Sequence, residues 1–395
     1  MVDALGALLI VLVLSFILGE FAKFIKLPHV IGHISAGLLL TIPAIHAALF
    51  NDTNLAVIEF LANLGIILLF YYVGLEMNIT VLQKYARPSV LLSILKTIIP
   101  LALGFAVMRY LFNHDPLTSL VVGIVVSTSA QSVSISLLEE LGQLRSRIGT
   151  LLLSIGVVTD IFELLILSVV LAIFQLVDQS IALILFKIFA FILVIILARL
   201  YIIPRTLKLV SKEGNSTSRF MGALILLLAI ASIAELFGIG ALTGAVVAGL
   251  IIGHTILRDV ELPNWEEHDI ARSIHIIGFG FLIPIFFAWI GLNTHLSFKS
   301  AEQSIILLAI SIAGILLAAI LGGKLTHLRS KDSLALGWGL LAKGDIGFVL
   351  SALALELGIL KPDLFSAIVI MSISATLISP LMFSYSLRRI TASRR

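Results

Sequence analysis

Val125-Val126-Ser127-Thr128-Ser129-Ala130-Gln131-Ser132 places six consecutive small or polar residues, from Ser127 on, inside an otherwise apolar segment, 117–140, and is too polar for a helix that faces lipid. An interval of 216 residues leads from Ser127 to Lys343-Gly344-Asp345, followed by Gly347, in the middle of a second apolar segment, 333–357. Both segments are therefore interrupted at the same place. Working outward, the interval recurs. Ala36-Gly37-Leu38 matches Ala248-Gly249-Leu250 at 212, and Glu140-Leu141-Gly142 matches Glu356-Leu357-Gly358 at 216. Phe70-Tyr71-Tyr72-Val73-Gly74-Leu75 matches Phe287-Ala288-Trp289-Ile290-Gly291-Leu292 at 217. A single three-residue match carries little in so apolar a chain, but agreement in order and spacing points to an internal duplication.

The composition says what medium these segments occupy. The 395 residues have a mean hydropathy of +1.15, with 59% apolar and 12% charged. Soluble domains carry about twice that charged fraction, so the chain is an integral membrane protein. Disorder is excluded by the apolar content, and a disulfide scaffold, thiolate metal site or redox centre by the absence of cysteine. The net charge of +3 comes without a basic run or aromatic-basic interleaving, so nucleic acid is not a partner.

A spanning helix needs roughly 20 apolar residues. Polar and Pro/Gly-rich breaks divide the chain into thirteen such segments, near 4–22, 28–49, 55–77, 88–112, 117–140, 147–174, 180–203, 217–237, 239–255, 273–295, 302–323, 333–357 and 363–387. The ten-residue alternation of a membrane barrel is absent. The first segment lacks a basic leader and a small-residue cleavage site, and reads as a retained helix. With the N-terminus outside, alternate loops and the C-terminal tail gather nineteen Lys and Arg, against three outside at Arg109, Lys299 and Lys361. That asymmetry sets the orientation, with the C-terminus cytoplasmic.

The two copies are separated by seven segments, an odd number, so they lie in the membrane with opposite orientation. The expected fold is an all-α polytopic membrane protein with two inverted six-helix repeats and crossed interrupted helices, an arrangement found in secondary transporters. The first repeat spans 1–175, a linker helix and cytoplasmic loop span 176–214, and the second repeat spans 215–395.

Ionisable residues in hydrocarbon cost about 2.5–3.5 kcal/mol each on the insertion scale, and are functional candidates for that reason. Asp160 stands at the centre of the sixth segment, in Gly156-Val157-Val158-Thr159-Asp160, with no basic residue within two turns on its own helix. Desolvation of a carboxylate there favours the protonated form, which suits exchange of a proton for a cation. Glu163 would either share that site or pair with Lys96 or Lys343. Lys343 and Asp345 would either bind substrate or compensate the dipoles of half-helices meeting head to head. Lys96 is mid-span and would snorkel or pair. Glu76, Glu20 and Glu235 fall near segment ends, where an interfacial position is expected. His29 and His33 are four apart but lack a third ligand. No Walker lysine, Gly-x-Ser-x-Gly or kinase signature is present, so the chain is not expected to be an enzyme, and an ion gradient must supply the coupling.

These residues resemble the monovalent cation:proton antiporters, which include sodium/proton exchangers and Kef-type potassium efflux transporters. Leu27-Pro28-His29-Val30-Ile31-Gly32 through Ala36-Gly37-Leu38 is similar to the family's second helix, and Leu69-Phe70-Tyr71-Tyr72-Val73-Gly74-Leu75-Glu76 to its third. Gly240-Ala241-Leu242-Thr243-Gly244-Ala245 resembles the repeat of the second, and Pro284-Ile285-Phe286-Phe287 with Gly291-Leu292 the helix after it. Lys343-Gly344-Asp345-Ile346-Gly347 is similar to the family's Arg-Gly-Glu-Val-Gly, and Ser127-Thr128-Ser129 before Thr159-Asp160 completes the pattern.

The resemblance implies exchange of sodium or potassium for protons with no cofactor beyond the transported ions. It further implies a mobile core domain, from segments 4–6 and 11–13, that moves like an elevator against a dimerisation domain from segments 1–3 and 8–10. Asp160 would bind monovalent cation and proton in turn, with Thr159, Thr128 and Ser129 completing the coordination, Lys343 and Asp345 at the helix crossing, and Glu163 and Glu76 as accessory positions. A homodimer is implied as well.

Two departures shape the expectation. Electrogenic members carry an Asp-Asp pair and a lysine on the helix containing Pro284, whereas here the first position is Thr159 and that helix has no lysine. One titrating carboxylate predicts one-for-one, electroneutral exchange. The chain also ends at Arg395 without the nucleotide-binding domain of many Kef-type proteins, so such regulation would need a separate cytosolic subunit. The alternatives are a non-transporting sensor of cation or pH, and an organic-anion symporter that uses Lys343 as its basic centre. A prokaryotic cytoplasmic membrane is the expected location.

Overall fold

A computed structural model describes residues 3–25, 27–76, 87–130, 134–135, 137–138, 146–176, 181–202, 216–258, 272–295 and 297–392. Every regular element among the described residues is helical. In chain order these are α1 (Ala4–Phe24), α2 (His29–Leu40), α3 (Pro43–Leu49), α4 (Asp52–Glu76), α5 (Arg87–Ala106, prolonged by a π turn at Val107–Leu111) and α6 (Pro116–Ser127). They continue as α7 (Arg147–Leu176), α8 (Ile181–Leu197, prolonged by a π turn at Ala198–Ile202), α9 (Ser216–Leu236) and α10 (Ala241–Arg258). The last are α11 (Arg272–Leu292), α12 (Phe298–Leu325), α13 (Ser330–Gly339), α14 (Asp345–Glu356) and α15 (Pro362–Ala392).

Helix starts follow from local chemistry. Asp3 accepts a hydrogen bond from the Gly6 amide at the head of α1. Asp115 accepts from the Leu117 and Thr118 amides, with Pro116 in the first turn of α6, where its missing N–H costs nothing. Ser297 and Ser300 cap α12 reciprocally. Among the described residues, six helices are long and apolar enough to cross a membrane, which makes the chain a multi-pass membrane protein.

One segment differs from expectation. Residues 28–49 read as a single span, yet α2 stops at Leu40 and α3 departs at 87° to it. Pro43 explains the break. Its ring disfavours the helical region for Ile42, which takes φ −55 and ψ 123, so the chain turns there.

The helices pack in two groups. In one, α1 lies on α2, α2 and α4 on α11, α4 on α10, and α10 on α9. In the other, α5 packs on α6, α7 and α12, while α12, α13 and α14 pack on α15 and α6 packs on α14. An apolar layer joins the groups, where the Phe287 ring of α11 meets the Phe348 ring of α14 edge-on at 6.2 Å.

Two backbone crossings in the first group are counterparts. A Cβ on Gly37 of α2 would collide with Ala288 O and Gly291 Cα of α11, and one on Gly291 with Ile34 O and Gly37 Cα. A Cβ on Gly74 of α4 would collide with Val246 O and Gly249 Cα of α10, and one on Gly249 with Tyr71 O. Only glycine permits backbones this close inside a membrane. Gly37 and Gly249 are one matched pair in the sequence, and Gly74 and Gly291 the other.

Candidate functional site: the crossing of two interrupted helices

The second group contains the site. Helix α6 ends after 12 residues, well short of the roughly 20 a span requires, and Thr128 turns extended at φ −63 and ψ 153. Beyond it, 134–135 and 137–138 are described and helical. Helix α13 likewise ends at Gly339 after 10 residues, and α14 resumes at Asp345 behind an extended Gly344. The two breaks cross and are joined by a main-chain hydrogen bond from Ala130 N to Ala342 O of 2.7 Å. A Cβ on Gly344 would press on Ala130, and one on Gly347 on the Thr128 hydroxyl, so the glycines let the two breaks approach.

A helix that stops inside a membrane exposes carbonyls that need partners. Lys343 Nζ donates to Val126 O at 2.5 Å and to Thr128 O at 3.0 Å, placing a cation on the negative end of α6. Hydroxyls serve the α13 end: Ser134 Oγ donates to Gly339 O at 2.7 Å and Ser379 Oγ to Trp338 O at 2.8 Å. Thr376 Oγ1, one turn before Ser379 on α15, accepts from Lys343 N at 3.0 Å.

Helix α7 approaches the crossing through one carboxylate. Glu163 Oε1 accepts from Ser129 N at 3.0 Å and from Lys96 Nζ at 2.7 Å, and both ionic side chains are 2% exposed. Glu163 thus pairs with Lys96 of α5, while Lys343 bonds the carbonyls of α6. Two turns earlier on α7, Ile155 O accepts from Ser93 Oγ of α5.

The structure thereby brings Thr128, Ser129, Lys343 and Glu163 to one place, with Thr159 buried one turn before Glu163. Asp160 follows Thr159 within α7, Asp345 opens α14 and Glu76 ends α4, but the side chains of these three lie outside the described residues. Glu235 bonds Ala241 N at the head of α10. Glu20 stands 4.0 Å from His29, whose ring stacks on His33 at 6.2 Å, and His33 Nδ1 bonds Ser15 O. Among the described residues no group of three or more His, Asp or Glu could hold a metal ion.

Sequence reasoning missed the hydroxyl caps Ser134, Thr376 and Ser379 and the anchor Ser93. Their signal was present as hydroxyls at helical spacing on otherwise apolar helices, Ser372-Thr376-Ser379 and Ser89-Ser93-Thr97. Collected at the crossing are hydroxyl and carbonyl oxygens beside the Glu163 carboxylate, a donor set that suits a hard cation rather than a soft metal.

Comparison with known proteins agrees with this architecture. Over 95% of this chain and 94% of that protein, it is 26% identical to the Na(+)/H(+)-K(+) antiporter GerN of Bacillus cereus. It is 25% identical to a Na(+)/H(+) antiporter of Enterococcus hirae, over 99% of this chain and all of that one. These relatives are transport proteins, not enzymes. The solved sodium proton antiporter MjNhaP1 from Methanocaldococcus jannaschii shares the fold, with a TM-score of 0.63 over 97% of this chain and 98% of that one at 16% identity. The sequence pattern of the sodium/hydrogen exchanger transmembrane family matches residues 9–388, which takes in both interrupted helices, and this chain belongs to that family.

Proposed function

We propose that this chain exchanges a monovalent cation, sodium or potassium, for protons, with Asp160 as the carboxylate that holds each in turn. The observation that carries the reading is the bond from Ser129 N to Glu163 Oε1. It draws the oxygen-bearing break at Thr128 and Ser129 against the turn of α7 that contains Thr159 and Asp160.

Exchange is electroneutral in this reading. The two lysines buried at the crossing already have partners, Lys96 in Glu163 and Lys343 in the α6 carbonyls, which supports Asp160 as the lone titrating charge. The partners of Lys343 also weigh against an organic-anion site, which would need its ammonium turned toward substrate. The reciprocal glycine crossings support two inverted repeats, 1–175 and 215–395. The packing groups support a core of α5–α7 and α12–α15 that moves as an elevator against α1–α4 and α9–α11, with the latter forming a homodimer and Asp345 compensating the α14 dipole. The N-terminus lies outside and the C-terminus in the cytoplasm.

The test is reconstitution of wild type and Asp160→Asn in liposomes carrying an interior pH dye, with sodium, potassium or lithium added across an imposed pH gradient. Dissipation by an alkali cation that vanishes in the variant and ignores a clamped potential is the expected result. A gradient left untouched by wild type over a wide pH range removes the antiporter reading and favours a sensor.

A further inference from the structure

Resting on the Asp160 reading above, we infer that Thr97 of α5 is a further ligand of the transported cation, its hydroxyl acting together with that of Thr159.

Two anchors fix how α5 and α7 lie together. Ser93 Oγ bonds Ile155 O at 3.2 Å, and Lys96 Nζ bonds Glu163 Oε1 at 2.7 Å. Residue numbers rise together along both helices, so they run in the same direction. Thr97 is four residues beyond Ser93 and shares its face; Thr159 is four residues before Glu163 and shares its face. Four residues on from the Ser93–Ile155 anchor along each helix, both hydroxyls therefore enter the α5–α7 seam at one level, beside the turn that contains Asp160.

Both are also spare oxygens. Thr97 is 4% exposed and Thr159 0%, and neither hydroxyl has a hydrogen-bond partner among the described residues. Many serines and threonines on these membrane helices donate back to a carbonyl one turn earlier, as Ser93 does to Ser89 O, Ser154 to Thr150 O and Thr376 to Ser372 O, while the unpaired hydroxyls of Ser15 and Thr243 each stand on a helix of the other packing group. Thr97 and Thr159 have the same option through Ser93 O and Ile155 O and do not take it. Buried polar oxygens are otherwise paired as a rule, so two unpaired on one seam mark a place that receives a ligand. A hydroxyl oxygen suits an alkali cation, which takes hard neutral donors beside a carboxylate and sheds water to bind them. Neutral oxygens add coordination without adding charge, so Thr97 would tune which ion fits and leave the proton stoichiometry with Asp160.

The experiment measures cation-dependent proton flux in liposomes for wild type, Thr97→Val and Thr97→Ser, each with lithium, sodium, potassium and rubidium. Thr97→Val keeps the shape and removes the oxygen. The apparent KM for the preferred cation should rise about tenfold with maximal flux within twofold, the order of preference among the four ions should change, and Thr97→Ser should restore the wild-type order. Unchanged KM and preference in an assembled Thr97→Val overturn the assignment while the antiporter reading stands. An inert wild type removes that reading and this one with it. If Thr97→Val does not assemble, Thr97→Ala removes the same oxygen with less bulk and carries the same expectation, and cation-induced thermal stabilisation of the purified protein provides a second readout.

Discussion

Lys96 Nζ and Glu163 Oε1 lie 2.7 Å apart with both side chains removed from solvent, and the same oxygen holds the amide of Ser129. An ion pair here ties three chain segments rather than two. Breaking a buried pair by removing one partner leaves the other charge stranded, at a cost of about 3–5 kcal/mol. Lys96→Met should lower stability on that scale in detergent melting. The double variant Lys96→Met with Glu163→Leu should recover much of it, because no buried charge remains.

Lys343→Met tests the other buried cation. Its ammonium bonds two carbonyls at the end of α6, each a charge-assisted contact of about 1.5–3 kcal/mol. The expected outcome is maximal flux reduced at least tenfold. Arginine at 343 should recover part of the flux, as its guanidinium also donates to carbonyls. Equal flux in wild type and Lys343→Met would separate the α6 end from transport.

The glycine crossings make a stability prediction with an internal control. Gly37→Val places side-chain atoms on Ala288 O, a backbone atom that cannot rotate away, so α2 and α11 must part. The monodisperse peak should be lost in size exclusion. Gly280→Ala, where a Cβ meets nothing within 4 Å, should leave the profile unchanged.

Asp115 heads α6 outside the membrane-spanning segments. Partial burial raises its pKa, but hydrogen bonds from Thr118 and Leu117 outweigh this and hold it below the ordinary carboxylate value. A depressed pKa contributes stability that is present above the unfolded value and lost as pH falls through the folded one. Asp115→Ala should cost about 1 kcal/mol at neutral pH, the usual worth of an N-cap, and the difference from wild type should shrink on acidification below pH ~4.

The interrupted helices were legible because a run of small polar residues and a Lys-Gly-Asp cannot sit against lipid, and their shared interval located both at once. The glycine matches were legible as sequence, and their meaning as two backbone crossings was not, since Gly37 meets Gly291 and not its own copy Gly249. The partner of Glu163 could not be chosen because Lys96 is 67 positions away and only the packing of α5 on α7 brings it near. The bend after Leu40 carried a proline signal that the apolar content of 28–49 obscured. Thr376 and Ser379 stood out by their helical spacing, but that spacing did not say which helix they serve, because a hydroxyl within a helix usually satisfies itself on the preceding turn.

The bond from Ala130 N to Ala342 O runs from backbone to backbone. No side chain takes part in it, so of the twenty amino acids only proline at 130 would delete its donor. The alignment of the two broken helices is thus separated from the chemistry beside it. Replacing the residues at 128 or 129 would alter the oxygens that the proposed site offers an ion and leave this fastening in place, which would allow a descendant of this chain to acquire a new ion preference without having to rebuild its fold.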